Sequence, residues 1–121
     1  WGAVDDIRCW LAGADIALLP LDIARGIQNK VLEAMAMRLP VVLSSGAATG
    51  IPAQDGRDFL VSDDDAALAE IVVRLSGDAP LAASLGANAR RFVVDQMSWA
   101  ATLAPLPALL GRDPAGVRHA A

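Results

Sequence analysis

The sequence predicts an α/β fold, with a parallel sheet of about three strands followed by C-terminal helices. Three observations carry this. Ile16–Leu19 and Val41–Leu43 are short, continuous apolar runs, and Asp58–Val61 is a shorter third candidate; such runs suit strands covered on both sides. A helical pattern from Ile27 to about Arg38 separates the first two runs, and parallel pairing needs a crossover of that kind. Beyond Val61 the apolar residues recur only at helical spacing. Strand and helix in alternation give a parallel sheet with helices on both faces.

Taken in order, Asp5 or Asp6 caps a short helix reaching about Gly13, with Ile7, Trp10 and Leu11 on one face. The strand Ile16–Leu19 ends at Pro20, and a loop runs to Gly26. The helix from Ile27 carries Val31, Leu32, Met35 and Ala36 as an apolar stripe. After the strand Val41–Leu43, Ser44–Gly50 reads as a Ser- and Gly-rich turn. Asp63 caps a helix in which Leu68, Ile71, Val72 and Leu75 repeat at helical spacing. Asp78 and Pro80 open the next, with Leu81, Leu85, Phe92 and Val93 on one side. Ser98 caps a last helix, which Pro105 and Pro107 interrupt. Residues 111–121 read as a loose tail that contains the single histidine, His119.

The chain of 121 residues is one domain's worth. A net charge of -4, with Arg90-Arg91 the only clustered basic residues, argues against general nucleic-acid binding. The lone cysteine, Cys9, excludes an internal disulfide and suits a reducing, cytoplasmic compartment. No apolar stretch reaches the ~18 residues of a membrane helix, so no transmembrane segment is expected. With one cysteine and one histidine, no metal cluster of usual spacing is expected, and capping explains the Asp63–Asp65 run. The chain opens on Trp1-Gly2-Ala3-Val4 without an initiator methionine and reads as the middle of something longer.

Arg25–Val42 carries the chemistry. Ligands of α/β sheets sit beyond the carboxyl ends of the strands, where Pro20–Gly26 and Ser44–Gly50 fall. Gly26 permits backbone angles other residues resist, and the first helical amides beyond it have no internal partners. With the helix dipole they form a seat for phosphate: Gly26 and the amides of Ile27, Gln28 and Asn29. Arg25 and Gln28 stand where a diphosphate would rest. Glu33, roughly two turns further in at about 1.5 Å of rise per residue, offers a carboxylate to a sugar hydroxyl. Phosphate at the helix start and a hydroxyl at a carboxylate together describe a nucleotide site. Lys30, the only lysine, either contacts a phosphate or braces Glu33.

The stretch ADIALLPLDIARGIQNKVLEAMAMRLPVVLS resembles the nucleotide-sugar half of the group 1 family of retaining glycosyltransferases, which have two Rossmann-like domains. The parts that match are the strand Ala17–Pro20, the phosphate loop Arg25–Asn29, the EAMA helix Glu33–Ala36 and the strand Pro40–Val42. The likeness continues through GIPAQDGRDFLV to about Leu110. ARGIQNKVLEAMAM is especially similar to bacterial sugar transferases of exopolysaccharide and envelope assembly.

The resemblance implies that residues 1–110 are the C-terminal part of a nucleotide-sugar-binding domain, a partial Rossmann-like domain. Its first strands and an N-terminal acceptor domain would then be missing. It implies transfer of a sugar, of the hexosyltransferase type, from a nucleoside diphosphate sugar to a hydroxyl acceptor with retention. The acceptor, a glycan or a lipid-linked sugar, would be bound through the absent domain, which leaves peripheral membrane association of a full-length enzyme open. No cofactor and no metal are implied. In this likeness Glu33 holds the ribose hydroxyls, Gly26, Ile27, Gln28, Asn29 and Lys30 hold the diphosphate, and Gly2 and Val4 lie near the base edge. The family's first glutamate lies eight positions before the second, and here that position is Arg25. A guanidinium in this catalytic position can fork onto phosphate oxygens. Two rivals stand beside this reading: a non-catalytic Rossmann-like binding module, and a nucleotide-sugar epimerase of the same architecture. If the chain is such a fragment, it is expected to be inactive alone.

Overall fold

Residues 3–111 are described by the computed structural model. The first helix, α1 (Ile7–Leu11), is capped by Asp6, whose carboxylate accepts the Arg8 amide at 2.9 Å and is gripped by the Arg8 guanidinium. Three strands follow, β1 (Ala17–Leu19), β2 (Val41–Leu43) and β3 (Leu60–Val61), in the order β1-β2-β3 and all parallel. Ala17 pairs with Val41, and Val42 with Leu60. The expected three-stranded parallel sheet is therefore present.

The crossover between β1 and β2 is α2 (Asn29–Ala36). Its buried Val31, Ala34 and Met35 pack on one face of the sheet with Leu19, Val41, Leu43 and Phe59. Because strand side chains alternate between faces, Val42 points the other way, into a second cluster with Leu68, Leu75 and Leu85. Leu68 and Leu75 belong to α4 (Asp65–Gly77), and Leu85 to α5 (Ala79–Phe92). The second cluster reaches Ile16 but does not include Leu18. Leu18 is 47% exposed, so full coverage of both faces holds for β2 and fails for β1, an edge strand among the described residues.

Several element ends differ from the sequence expectation: α1 stops at Leu11 rather than about Gly13, β1 starts at Ala17 rather than Ile16, and β3 at Leu60 rather than Asp58. α2 starts at Asn29 rather than Ile27, because Gln28 is extended (φ -87°, ψ 103°) and serves as the N-cap. It also ends earlier, at Ala36 rather than about Arg38, with Arg38 in the left-handed region at φ 61°. The Leu39 amide donates to the Ala34 carbonyl at 3.1 Å and the Arg38 amide to Met35 at 3.0 Å, the paired bonds of a Schellman terminus. The turn Ser44–Gly50 contains a short helix, α3 (Ser45–Ala48), capped by Ser44. Finally, α4 is capped by Asp64, which accepts the Ala67 amide at 2.7 Å, and not by Asp63.

Asp78 caps α5 with Pro80 in its first turn, as expected. Its apolar side divides: Leu81 and Leu85 join the second cluster, Phe92 and Val93 the first. A π-helix, Val93–Met97, follows directly. Ser98 then caps α6 (Trp99–Leu103), and Pro105 separates it from α7 (Leu106–Leu109). Of the expected tail only Gly111 is described, so residues 112–121 and His119 lie outside the described residues. No described helix is long and apolar enough to cross a membrane.

Candidate functional site

The connections leaving the three strands meet at one end of the sheet. Pro20–Asp22 after β1, Ser44–Gly46 after β2, and Ser62, Asp63 and Asp65 after β3 enclose a cleft of about 290 Å³. Hydrogen bonds tie these connections together. The Ser44 hydroxyl donates to the Leu21 carbonyl at 2.7 Å, and the Ser45 amide donates to Asp63 Oδ1 at 2.8 Å. That amide holds the Asp63 carboxyl below the usual carboxylate range. Asp63 therefore serves the start of α3, while its neighbour Asp64 serves α4.

The residues singled out in the sequence lie along the loop and first turn behind Pro20. Gly26 has φ +69° and nothing within 4 Å of where a Cβ would stand, so the bend needs glycine for its backbone angle and not for space. Arg25, Gly26, Ile27, Asn29, Lys30 and Glu33 are exposed, and Gln28 is half-buried. The Gln28 side-chain amide donates back to the carbonyls of Gly26 at 3.2 Å and Arg25 at 3.4 Å, bracing the loop from inside. It does not cap α2, so the Asn29 and Lys30 amides receive no side-chain acceptor. The Val31 amide already donates to the Gln28 carbonyl at 3.0 Å. Ile27, with its amide ahead of the helix, lies 46% exposed.

Because α2 begins at Asn29, Glu33 stands about one turn into it, about 6 Å of rise. Neither Glu33 nor Lys30 has a side-chain hydrogen bond or ion pair; the ion pairs among the described residues are Arg8–Asp6 and Arg57–Asp58. The structure thus gathers Arg25 to Lys30 and Glu33 on one loop and helix start. It sets them beside the strand-end cleft, which none of them lines. Val4 is exposed, and Gly2 lies outside the described residues.

Asp22, Ser44 and Gly46 line the cleft within the two strand-end segments expected to border a ligand, although none was named individually as a site residue, and Asp63, expected only as a helix cap, joins them. A signal for Ser44 exists: a serine directly after a buried strand and before small residues has the character of an N-cap. Nothing local marks Asp63, since its partner Ser45 is on another connection. Among the described residues no group of three His, Cys, Asp or Glu is placed to hold a metal ion.

A second polar cluster lies elsewhere. Asp58 is buried, accepts the Gln54 amide at 2.9 Å and is forked by the Arg57 guanidinium at 2.9 Å on each oxygen. Burial pushes its carboxyl up, but the Arg57 and Gln54 hydrogen bonds and the charges of Arg57 and Arg91 outweigh that and hold it below the usual range. Asn88 donates to the Arg57 carbonyl at 3.2 Å. The cluster therefore fixes the segment leading into β3.

Compared with known proteins, the sequence model of the family described as glycosyl transferases group 1 matches residues 1–78. That span covers α1 to α4 and includes the loop, α2 and the cleft. No curated protein and no solved structure matches the chain.

Proposed function

The chain belongs to the group 1 glycosyl transferases, and from that premise we propose that it is the donor-binding part of a retaining sugar transferase. Glycosyl transfer in general is what family membership supports. The finer reading assigns the diphosphate of a nucleoside diphosphate sugar to the start of α2. The Asn29 and Lys30 amides and the helix dipole meet its charge, with Arg25 and the Lys30 ammonium beside them. Glu33 accepts hydrogen bonds from the ribose hydroxyls. When the bond between the anomeric carbon and the diphosphate breaks, negative charge grows on the leaving oxygen, and donors fixed in advance lower that barrier. The reading gives this role to amides and cationic side chains rather than to a metal ion.

One observation supports it above the others. An eight-residue helix starts behind a positive-φ glycine with no side-chain cap, and a partnerless carboxylate stands one turn further in. The wording of Ala24–Met37 favours an exopolysaccharide or envelope acceptor, bound through a separate domain, in a cytoplasmic bacterial enzyme. A non-catalytic binding module is the second reading, favoured by Arg25 at the position of the family's first glutamate.

Calorimetric titration of UDP, GDP and ADP into the wild type and Glu33→Gln tests the assignment. A hydrogen bond to a charged group is worth about 1.5–3 kcal/mol, so the affinity for the bound nucleotide should fall roughly 10- to 150-fold at ~1.4 kcal/mol per decade. Equal affinities would remove Glu33 from the ribose site. Sugar release from a donor that binds separates the transferase from the module.

A further inference from the structure

We propose that Ser44 is a positioning residue for donor binding, acting through the loop 21–27, for which α3 forms a cradle. The inference rests on the donor-binding reading and names a part of the machinery that touches no ligand. Its basis is a set of contacts at both ends of one loop. At the near end, the Ser44 hydroxyl, 8% exposed, donates to the Leu21 carbonyl at 2.7 Å and accepts the Ala47 amide at 3.4 Å. Beside it, a Cβ on Gly46 would stand 2.7 Å from the Leu21 oxygen and 3.4 Å from that of Asp22. The bare backbone of α3 is thus the surface on which the loop lies. At the far end, a Cβ on Gly50 would stand 3.0 Å from Ile27 Cγ1, so the same segment receives the residue just before the α2 cap.

α3 is itself held fast. Ala47 is fully buried in the first cluster, and Asp63 accepts the Ser45 amide from the next connection. Beyond Leu21, which packs against the first cluster, the loop has little else to hold it. Ile23 is 83% exposed, Asp22, Arg25 and Gly26 are exposed, and the Gln28 bonds lie within the loop itself. A loop of this kind samples many conformers unless anchored. Apparent affinity falls in proportion to the fraction that is competent to bind. The Ser44 hydroxyl keeps that fraction high, and the direction of the Gly26 bend and the start of α2 follow from it.

The test compares wild type, Ser44→Ala and Ser44→Thr by amide hydrogen exchange without nucleotide, and by titration of UDP, GDP and ADP. In Ser44→Ala the hydrogen-bonded amides that bracket the loop, Leu21 to the Leu19 carbonyl and Val31 to the Gln28 carbonyl, should exchange roughly 5- to 30-fold faster, as for a loss of about 1–2 kcal/mol. Protection in α4 and α5 should be unchanged. Nucleotide affinity should fall by a similar factor, and Ser44→Thr, which keeps the hydroxyl, should restore both. A general loss of stability would instead speed exchange throughout. If Ser44→Ala does not fold, Gly46→Ala, which pushes the Leu21 carbonyl off α3, is read in the same way. Unchanged loop exchange overturns the cradle, and faster loop exchange with unchanged affinity overturns its role in binding. If none of the three nucleotides binds the wild type, the donor reading fails and positioning for it fails too, while the exchange data still decide whether α3 holds the loop.

Discussion

Gly86 packs against the carbonyl of Arg38, and a Cβ at Gly86 would overlap that oxygen and stand 3.4 Å from the Pro40 nitrogen. One turn further along α5, the Arg90 guanidinium donates to the Ala36 carbonyl. α5 therefore closes the C-terminal end of α2 twice, by close approach and by charge. The obstacle at Gly86 is backbone, which cannot swing aside. Gly86→Ala should cost about 1–3 kcal/mol through overpacking, although alanine is favoured over glycine in a helix by roughly 1 kcal/mol. Urea denaturation measures the net loss, and a gain in stability would contradict the packing.

Arg38 supplies the complementary test. It is a side-chain-bearing residue in a left-handed position, at φ 61°, where glycine is at home. Arg38→Gly should stabilise the fold by about 0.5–1 kcal/mol, the relief of left-handed strain less the added freedom of the unfolded chain. Arg38→Ala should give no such gain. Thermal unfolding of the two variants distinguishes backbone strain from loss of the side chain.

Asp58 makes acid sensitivity predictable in sign. Its folded carboxyl titrates below the usual range, so its contribution is complete above the unfolded value of ~3.9. That contribution is lost as pH falls through the lower folded value. Asp58→Asn should cost about 1.5–3 kcal/mol at neutral pH, as for a hydrogen bond to a charged group. The loss of stability below about pH 4 should become shallower in the variant. Chemical denaturation at stepped pH reads both effects, and parallel curves for the two proteins would refute the assignment.

The neighbouring aspartates 63 and 64 should separate cleanly. Asp64→Ala removes the cap of α4 and should cost about 1 kcal/mol, with faster amide exchange at residues 65–67. Asp63→Ala should leave α4 protected and speed exchange at Ser45 instead. The reverse pattern would return the α4 cap to Asp63.

These aspartates also show what a sequence can and cannot disclose. Three in succession each satisfy the chemistry of an N-cap, so helix α4 was legible while its first residue was not. Ile27 continues the apolar spacing of Val31 and was read into α2; it lies instead against Gly50, outside the helix. α3, with four residues, is too short to show a period. The π-helix Val93–Met97 differs from its neighbours in hydrogen-bond width, which side-chain spacing does not encode. By contrast, β2 and the apolar face of α4 were plain, because burial itself dictates their apolar runs, while α5 was plain as a helix but not in the division of its apolar side. The loop and α2 were legible as a candidate site because they are contiguous. Two walls of the cleft were legible as the strand ends at Pro20–Gly26 and Ser44–Gly50, whereas the third, at Ser62–Asp65, joins them only in space.

The split face of α5 has a consequence for how the molecule comes apart. Leu85 belongs to the cluster on one side of the sheet, and Ala89 and Phe92 to the cluster on the other. A single helix is thus shared property of both layers, and neither can melt while the other keeps its full set of contacts. Opening of α2 should therefore register in α4, and the two layers should lose amide protection together as one cooperative unit.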